Sequence, residues 1–507
     1  MKYLLGVDIG TTGTKTILVD TYGIEIASSS VEYPLLQPQN GWAEQMPLDW
    51  WNATVKTCKD VFFKSGVDPH DVAGIGLTGQ MHGLVMLDEF GEVLRDSIIW
   101  CDQRTGKECE QINDAVGPER LLEITANPAI TGFTASKILW VRNNEPHIYA
   151  KCRKILLPKD YVRYKLTGEF ATDVSDASGT QLLDIKHRSW SEEVLEKLDI
   201  DIKLLPRVYE SYEITGKVTH DAAELTGLAE GTIVVGGAGD NAAAAVGTGV
   251  VFDNKAFTTI GTSGVVFAHT SQMKIDPRGR VHTFCSAVPG EWHVMGVTQA
   301  AGLSLQWFKN NFCGDEVRQA IELSVDPYEL MDSEADRIPI GANKLIYLPY
   351  LMGERTPYLD PDCRGVFFGL SASHRRPDLI RAVMEGVAFS LYDSISIFKE
   401  MGINFPEMLV GGGGGMSKVW RSMLADVFDS KIKTLNSSES PAFGSAILAS
   451  VGTGVYSSLP EACSVLVNEN RSIEPNHAHH EKYMKSYEVY KHLYGHLSTE
   501  FKALAAL

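Results

Sequence analysis

Short apolar or β-branched runs alternate along this chain with longer segments whose apolar positions recur every three or four residues. YLLGV, TIVVG and EMLVG are runs of the first kind. Residues 375–398 are of the second kind, and their spacing predicts a helix. Strands that alternate with helices along a whole chain favour an α/β architecture.

The end of the chain carries an apolar stripe with alternating intervals of four and three residues. The stripe consists of Tyr483, Tyr487, Tyr490, Tyr494, Leu497, Phe501 and Leu504. This spacing predicts one long helix with a single apolar face. We expect that face to pack on the protein's own core, because three heptads are short for a dimerising coiled coil. The sequence leaves open whether the protein forms a homodimer.

Glycine is the residue whose abundance stands out. The chain has 46 glycines in 507 residues, where an average composition of about 7% would give roughly 35. Because 44% of the residues are hydrophobic and 22% are charged, the excess belongs to a folded chain rather than to a flexible linker. The glycines gather beside apolar runs in three places: Gly10 and Gly13, residues 236–264, and residues 411–415.

A short internal repeat divides the chain. Residues 9–13 read IGTTG and residues 260–264 read IGTSG, and an apolar run follows each of them. Both patterns predict two strands joined by a tight turn. One copy opens each half, so we expect two similar domains, 1–250 and 251–507, that face one ligand across a cleft. The last helix could pack back on the first domain.

Charge and hydropathy exclude two classes of function. There are 46 basic and 64 acidic residues, a net charge of −18, whereas a general nucleic-acid binder needs a basic face. No stretch approaches the ~18 apolar residues of a membrane span, and the N-terminus lacks the apolar region of a signal peptide. We therefore expect a cytoplasmic protein that binds small molecules, with neither nucleic acid nor membrane as partner.

Residues that often bind metals are present without a metal-binding pattern. The eight cysteines form no CxxC pair, and we expect reduced thiols. His477, His479 and His480 lie in the segment NHAHH, where a solvated polar loop before the last helix is the expected structure.

The first glycine turn, DIGTTGTK at residues 8–15, suits a polyphosphate. Small residues let an anion approach hydroxyls and exposed backbone N–H groups, and a carboxylate such as Asp8 at the strand end can hold Mg²⁺ through water. The spacing does not fit a GxxxxGK[ST] phosphate loop, and an ordinary hairpin turn is the alternative. The second turn, residues 261–264, favours phosphate binding, because β- and γ-phosphates would then be held from both sides.

The run of five glycines at 411–415 carries no side chains and leads into a helical segment, SKVWRSMLADVF. Its backbone could lie flat against an adenosine group. The alternative is a simple turn, for which one or two glycines would suffice.

Asp240 is the most informative carboxylate. It lies in GGAGDNAAAA, where small neighbours would let a substrate come close to its side chain. A carboxylate in such a place can act as a general base on a hydroxyl, a role worth about 10²–10⁴-fold in rate. The competing hypothesis is the N-cap of a helix that starts at Asn241, since Asp is among the best capping residues.

A candidate polyol site surrounds Met81 and His82. These residues lie with Gln80 between two glycines in GQMHG, an arrangement that favours a hydrogen-bonding contact over a purely structural histidine. Trp100, Asp102 and Arg104, in IIWCDQRT, add an apolar face and charged groups of the kind that line sugar sites.

These segments together resemble the FGGY carbohydrate kinases, members of the sugar kinase, Hsp70 and actin superfamily. The resemblance runs nearly end to end. It is carried by VDIGTTGTKTILVD, GFTASKILWVRNNEP (132–146), GGAGDNAAAAVGTG, GTSGVV, VGGGGGMSKVWRSMLAD and ESPAFGSAILA (439–449). It implies an α/β fold of two ribonuclease H-like domains that flank a cleft, with sugar bound mainly by the first and ATP by the second.

The resemblance also implies roles for individual residues. Asp240 would deprotonate the terminal hydroxyl of the sugar, and Asp8 would organise Mg²⁺. Sugar contacts would come from Met81, His82, Asp240, Asn241, Trp100 and Arg104. ATP contacts would come from Thr11, Thr12, Lys15, Gly261, Thr262, Gly302, Gly413, Gly414 and Ser417.

Fewer residues indicate the substrate. GQMHG and ERTPYLDPDCRGVFFGL (354–370) resemble members that phosphorylate D-xylulose, although Cys101 stands where those members carry Asn. Kinases of ribulose, gluconate, fuculose or a polyol are the nearest alternatives. A non-catalytic sugar- or nucleotide-binding protein on the same fold is a further one, against which the presence of Asp240 and both turns argues.

Overall fold

Strands and helices alternate along the chain as the pattern predicts, in a computed structural model that describes residues 2–435 and 440–507. Glu439, the first residue of the ESPAFGSAILA motif, lies outside the described residues. The strands are β1 (Tyr3–Ile9), β2 (Gly13–Asp20), β3 (Glu25–Glu32), β4 (Glu44–Gln45), β5 (Val72–Gly79), β6 (Val85–Leu87), β7 (Ser97–Ile98), β8 (Lys154–Leu156), β9 (Ala171–Asp173), β10 (Leu183–Asp184), β11 (Ser189–Trp190), β12 (Arg207–Tyr209), β13 (Ile214–Lys217), β14 (Ile233–Val235), β15 (Ala238–Gly239), β16 (Lys255–Ile260), β17 (Gly264–Thr270), β18 (His282–Cys285), β19 (Trp292–Thr298), β20 (Ile346–Leu348), β21 (Val366–Phe368), β22 (Glu407–Gly411), β23 (Lys431–Leu435) and β24 (Glu469–Ile473).

The helices confirm the two predicted from spacing, at residues 375–398 and at the end of the chain. They are α1 (Pro47–Ser65), α2 (Gly106–Val116), α3 (Pro118–Thr125), α4 (Thr134–Asn144), α5 (Pro146–Lys151), α6 (Pro158–Thr167), α7 (Val174–Ala177), α8 (Glu192–Leu198), α9 (His220–Thr226), α10 (Asp240–Gly247), α11 (Gly302–Phe312), α12 (Gly314–Leu323), α13 (Pro327–Asp336), α14 (Arg376–Glu400), α15 (Lys418–Phe428), α16 (Ser440–Gly452), α17 (Leu459–Leu466) and α18 (His477–Ala505).

Two sheets repeat one pattern of strand directions. In the first, β3, β2 and β1 are antiparallel, β5 and β14 continue parallel to β1, and β13 is antiparallel again. In the second, the order β19-β17-β16-β22-β23-β24 has the same directions. The two IGTxG turns join the first two strands of each sheet, so the short sequence repeat corresponds to equivalent structural positions.

Helices α10 and α16 lie between the sheets. Ala244 and Ala245 of α10 belong to the core cluster of Phe257 and Phe267 in the second sheet. Helix α16 lies directly on the first sheet, because a Cβ added at Gly6 or Gly76 would fall 2.0 Å from Ala442 O or 1.8 Å from Ser445 O. A segment late in the sequence thus covers the first sheet. The domain boundary near residue 250 stays a prediction.

The last helix packs on the second half, and it is α16 rather than α18 that packs back on the first. Tyr483, Tyr487 and Tyr490 of α18 are buried in the core cluster that contains α14. Tyr487 donates a hydrogen bond to Asp393 of α14 at 2.6 Å. The predicted use of the aromatic stripe, to cover the protein's own core, is confirmed.

The NHAHH segment is not the predicted loop. His477 is the first residue of α18, and the Asn476 side chain caps the helix by accepting hydrogen bonds from two backbone N–H groups. His477 and His479 pair with Asp429 and Asp426, carboxylates about fifty positions earlier. These contacts to distant carboxylates hold the two histidine side chains in the first turn of the helix.

All eight cysteines are free thiols, and Cys101 alone among them is not fully buried. Within residues 2–435 and 440–507, no helix combines the length and apolar character that a membrane crossing requires.

Candidate active site

The candidate site lies at the carboxyl ends of three neighbouring parallel strands of the first sheet. Ile9 of β1 pairs with Gly79 of β5, and Gly79 pairs with Gly239 of β15. The segments that leave these strands carry the first glycine turn, Met81 with His82, and Asp240. The register of the sheet therefore brings together groups that are up to 230 positions apart in sequence.

Asp240 is the first residue of α10, one position after the N-cap Gly239. The helix therefore starts one residue earlier than predicted, and Asp240 does not occupy the N-cap position. Its Oδ1 atom accepts hydrogen bonds from the backbone N and the Nδ2 of Asn241, at 2.7 and 2.9 Å. Among the described residues, Oδ2 accepts none. Burial raises the pKa of Asp240 to about 6, against the effect of the two bonds from Asn241.

Packing explains the small residues around Asp240 better than substrate access does. A Cβ at Gly239 would lie 2.9 Å from Met81 Cγ, and one at Gly237 would lie 1.9 Å from Leu77 O. The alanines 242–245 are buried where α10 packs on its neighbours. The glycines therefore bring Met81 and Asp240 together, and the alanines let α10 fit between the two sheets.

His82 has a backbone φ of +69°, a conformation that is unusual for a residue with a side chain. Its Nδ1 donates to Gly179 O at 2.8 Å. Burial, reinforced by the charge of Lys137, holds the pKa of His82 well below its ordinary value. The ring is therefore neutral, and its Nε2 carries a lone pair that can accept a hydrogen bond from a ligand hydroxyl.

The first glycine turn is tied to both other parts of the site. Thr11 Oγ1 accepts a hydrogen bond from Trp100 Nε1 at 2.9 Å. Thr11 O accepts one from Gln45 Nε2 at 2.7 Å, and Gln45 Oε1 accepts one from Gln80 Nε2 at 2.7 Å. In the hairpin, Lys15 lies opposite Asp8. The turn, Trp100 and the segment of His82 thus form one connected unit.

Arg104 is held by protein groups. Its guanidinium donates to Asp102 and Glu44, at 2.7 Å for the shortest contact to each. It stacks over Trp42 at 3.7 Å from the ring centroid, and its side chain is 1% exposed. This environment favours a supporting role over the predicted direct sugar contact.

The second turn and the five-glycine run meet at the end of β16. Thr262 O accepts hydrogen bonds from the backbone N of Ala301 and Leu303, and Gly261 O accepts one from Gly302 N at 2.8 Å. A Cβ at Gly302 would lie 2.5 Å from Gly261 O, and one at Gly414 would lie 2.4 Å from Ile260 Cγ2. Gly261, Gly302 and Gly414 are thus brought within contact of the same strand end.

The glycine run is more than a flat surface. A Cβ at Gly412 would lie 2.7 Å from Ile260 O, whereas Gly413 faces open space. Ser417 Oγ accepts a hydrogen bond from Trp420 N at 2.9 Å and caps α15. Packing therefore explains most of the run, and Gly413 is the position left open to a ligand.

The part of the chain that is described holds no group of three or more His, Cys, Asp or Glu side chains suited to a metal ion. Asp8 supplies one carboxylate at the end of β1, next to the Gly10–Thr12 turn. This donor set fits a magnesium ion whose remaining ligands are phosphate oxygens and water. It does not fit an ion held by protein groups alone.

Sequence reasoning missed the groups behind His82. Lys137 is fully buried and donates to His82 O and Gly132 O, both at 2.8 Å. The His82 ring lies 4.6 Å from that of Phe133. Arg355 reaches the same region from the second half. Lys137 stood in the quoted GFTASK motif, and Arg355 in ERTPYLDPDC, but neither motif alone shows what its charge faces.

Two family models match the chain. The model described as the N-terminal domain of the FGGY family of carbohydrate kinases matches residues 3–247, and the one described as its C-terminal domain matches residues 256–453.

Similar proteins cover the whole chain. A xylulose kinase of Bacillus subtilis is 39% identical over 506 residues, which are 99% of each chain. The structure of a ligand-bound xylulose kinase from Lactobacillus acidophilus is 27% identical with a TM-score of 0.92, and covers 99% of this chain and 100% of its own. A gluconate kinase structure from the same organism is 28% identical with a TM-score of 0.92, and covers 99% of each chain.

Proposed function

The chain belongs to the FGGY family of carbohydrate kinases, and we propose that it transfers the γ-phosphoryl group of ATP to D-xylulose with Asp240 as general base. Similarity to xylulose kinases over the full length supports the substrate. The single observation that carries the catalytic role is the Oδ2 atom of Asp240. It lies at the start of a helix between the two halves, without a partner among the described residues.

Each sugar-site group has a distinct task. Asp240 Oδ2 accepts the proton of the attacking hydroxyl, while Asn241 holds Oδ1 and so fixes the carboxylate plane. The neutral His82 accepts a hydrogen bond from a second hydroxyl. Met81 and Trp100 offer apolar surface to the carbon chain. Phosphoryl transfer asks a protein mainly for such positioning and for stabilisation of charge.

The ATP side relies on backbone groups. Thr11 and Thr12 of the first turn and Gly261 and Thr262 of the second can offer N–H groups and hydroxyls to phosphate oxygens. Gly302 and Gly414 lie beside the second turn, and Gly413 and Ser417 flank Gly414 along the chain; we place the nucleoside against these residues. Lys15 adds one cation. Such contacts suit a strongly acidic protein, whose net charge alone would repel ATP.

We assign Mg²⁺ to Asp8. When bound, the ion would neutralise charge on the phosphoryl group in transfer. Asp8→Asn is expected to raise the Mg²⁺ concentration needed for half-maximal rate by at least tenfold, because the neutral amide binds the ion more weakly. Initial rates across a magnesium titration at fixed ATP measure this.

The control for Asp8→Asn is Asp68→Asn, the same change at an exposed residue. It is expected to leave the magnesium response unchanged. If both variants respond to magnesium as the wild type does, the assignment of the metal to Asp8 is wrong.

The substrate is tested by ADP release across ketoses, polyols and aldonates at equal concentration. D-xylulose is expected to give the highest kcat/KM. A higher kcat/KM for gluconate would favour the second candidate, which the similarity to a gluconate kinase structure supports. No sugar-stimulated ADP release with any compound would leave only a binding protein.

The free thiols fit the cytoplasmic location that we propose.

A further inference from the structure

Residues 354–356 are fixed rigidly on the second sheet. Glu354 accepts hydrogen bonds from Thr298 Oγ1 at 2.6 Å and Gln299 N at 2.9 Å. Thr356 exchanges hydrogen bonds with Val297, through its backbone N at 2.9 Å and its Oγ1 at 3.1 Å. The backbone of Arg355 is therefore held between two anchored neighbours at the end of β19.

From this anchor, the Arg355 side chain reaches the first half. Its Nη2 atom lies 3.2 Å from the point where a Cβ at Gly132 would stand, and that point is 3.0 Å from Trp100 O. Gly132 O is also the acceptor of Lys137, which holds the His82 backbone. The guanidinium thus meets the wall of the candidate sugar site that Trp100 and His82 form.

The Arg355 guanidinium has no protein acceptor there. Within the described ranges, no carboxylate oxygen lies within 4.0 Å of it and no hydrogen bond leaves it, whereas Arg104 and Arg163 donate to buried carboxylates. The adjacent Glu354 is occupied, since it also accepts from Arg355 N at 2.8 Å. A guanidinium has five N–H donors, and leaving them unused in a partly buried place is costly.

We propose that Arg355 is a sugar-binding residue supplied by the second half, which donates hydrogen bonds to substrate oxygen atoms in front of Trp100 and Gly132. The inference rests on the proposed sugar-kinase function. A sugar bound in this way contacts both halves of the protein. Its binding therefore favours the arrangement in which the two halves close on the substrate.

The test compares Arg355→Gln with Arg364→Gln, an exposed arginine nine positions later that donates only to backbone carbonyls beside it. Sugar affinity without nucleotide, from tryptophan fluorescence, and KM for both substrates are measured. Arg355→Gln is expected to raise the sugar Kd and KM at least tenfold and to change the ATP KM less than twofold. Arg364→Gln should change neither.

Gly132→Ala is the second variant, since it keeps every charge and places a methyl group against Nη2. It is expected to raise the sugar KM in the same direction, even if Arg355→Gln folds poorly. Unchanged sugar KM in both variants, or an ATP KM that rises as much as the sugar KM, would overturn the proposal. Failure of the wild type to phosphorylate any sugar would instead refute the function, so the two failures are distinct.

Discussion

Replacing Asp240 by asparagine is expected to lower kcat for the sugar by about 10²–10⁴-fold, the usual worth of a general base. Asparagine has the same shape, and its carbonyl oxygen can still accept the two hydrogen bonds from Asn241. It cannot take a proton from the substrate hydroxyl. Steady-state kinetics measure the loss, and sugar affinity from tryptophan fluorescence should stay within threefold of the wild type. A variant with near wild-type kcat would make Asp240 a structural residue.

Two controls separate chemistry from folding. Asp221→Asn makes the same change in the first turn of another helix, α9, and should leave kcat unchanged. The pKa of Asp240 is higher in the folded protein than in the unfolded chain. Its favourable contribution to stability is therefore largest at low pH and is lost as pH rises through about 6. At pH 8, where the wild type carries the disfavoured charge, Asp240→Asn should have a Tm at least as high.

The raised pKa of Asp240 also predicts how the reaction rate depends on pH. The base must be ionised, so kcat/KM of the wild type is expected to fall tenfold per pH unit below about pH 6. The residual rate of Asp240→Asn should lack this decline. A decline of equal size in both would assign the pH dependence to another group.

Replacing Lys159 by methionine is expected to destabilise the protein by about 3–5 kcal/mol, the usual result of removing one partner from a buried ion pair. Lys159 Nζ lies 2.7, 2.8 and 3.0 Å from carboxylate oxygens of Asp160, Asp173 and Asp176, and all four side chains are 0% exposed. Burial raises the pKa of Asp176 well above its usual range. Without the lysine, three carboxyl groups would remain with Arg163 as the cation nearby.

Urea unfolding at pH 7 measures this loss, which is a large fraction of the 5–15 kcal/mol of a typical protein. Lys56→Met is the matched control, because the Lys56–Asp60 pair is exposed and such pairs contribute about 0–1 kcal/mol. Equal midpoints for the two variants would contradict the prediction.

Asp173 also accepts a hydrogen bond from Ser175 Oγ, which in turn accepts one from Gly239 N at 3.1 Å. The ionic cluster therefore supports the strand that presents Asp240.

The sequence was informative where local chemistry decides the structure. Two IGTxG turns predicted two hairpins, and both are present at equivalent positions. It was misleading where distant partners decide. The histidines after Asn476 lie in a helical turn that Asn476 caps, and His477 and His479 contact the distant Asp429 and Asp426. Arg355 and Lys137 became visible as site residues only when the fold placed them around His82, since nothing near them in sequence shows what their charges face.

Helix α16 has a consequence for how the protein is made. The face of the first sheet around Gly6 and Gly76 is covered by a helix that begins only at Ser440. At translation rates of about 5–20 residues per second, roughly 10–40 s pass between synthesis of residue 250 and that of α16. During this interval Leu4, Ile17 and Val235, which end in one core cluster with α16, lack their cover on the ribosome. We therefore expect the nascent first half to be prone to aggregation during this interval, and a chain cut near residue 250 to be less soluble than the full chain.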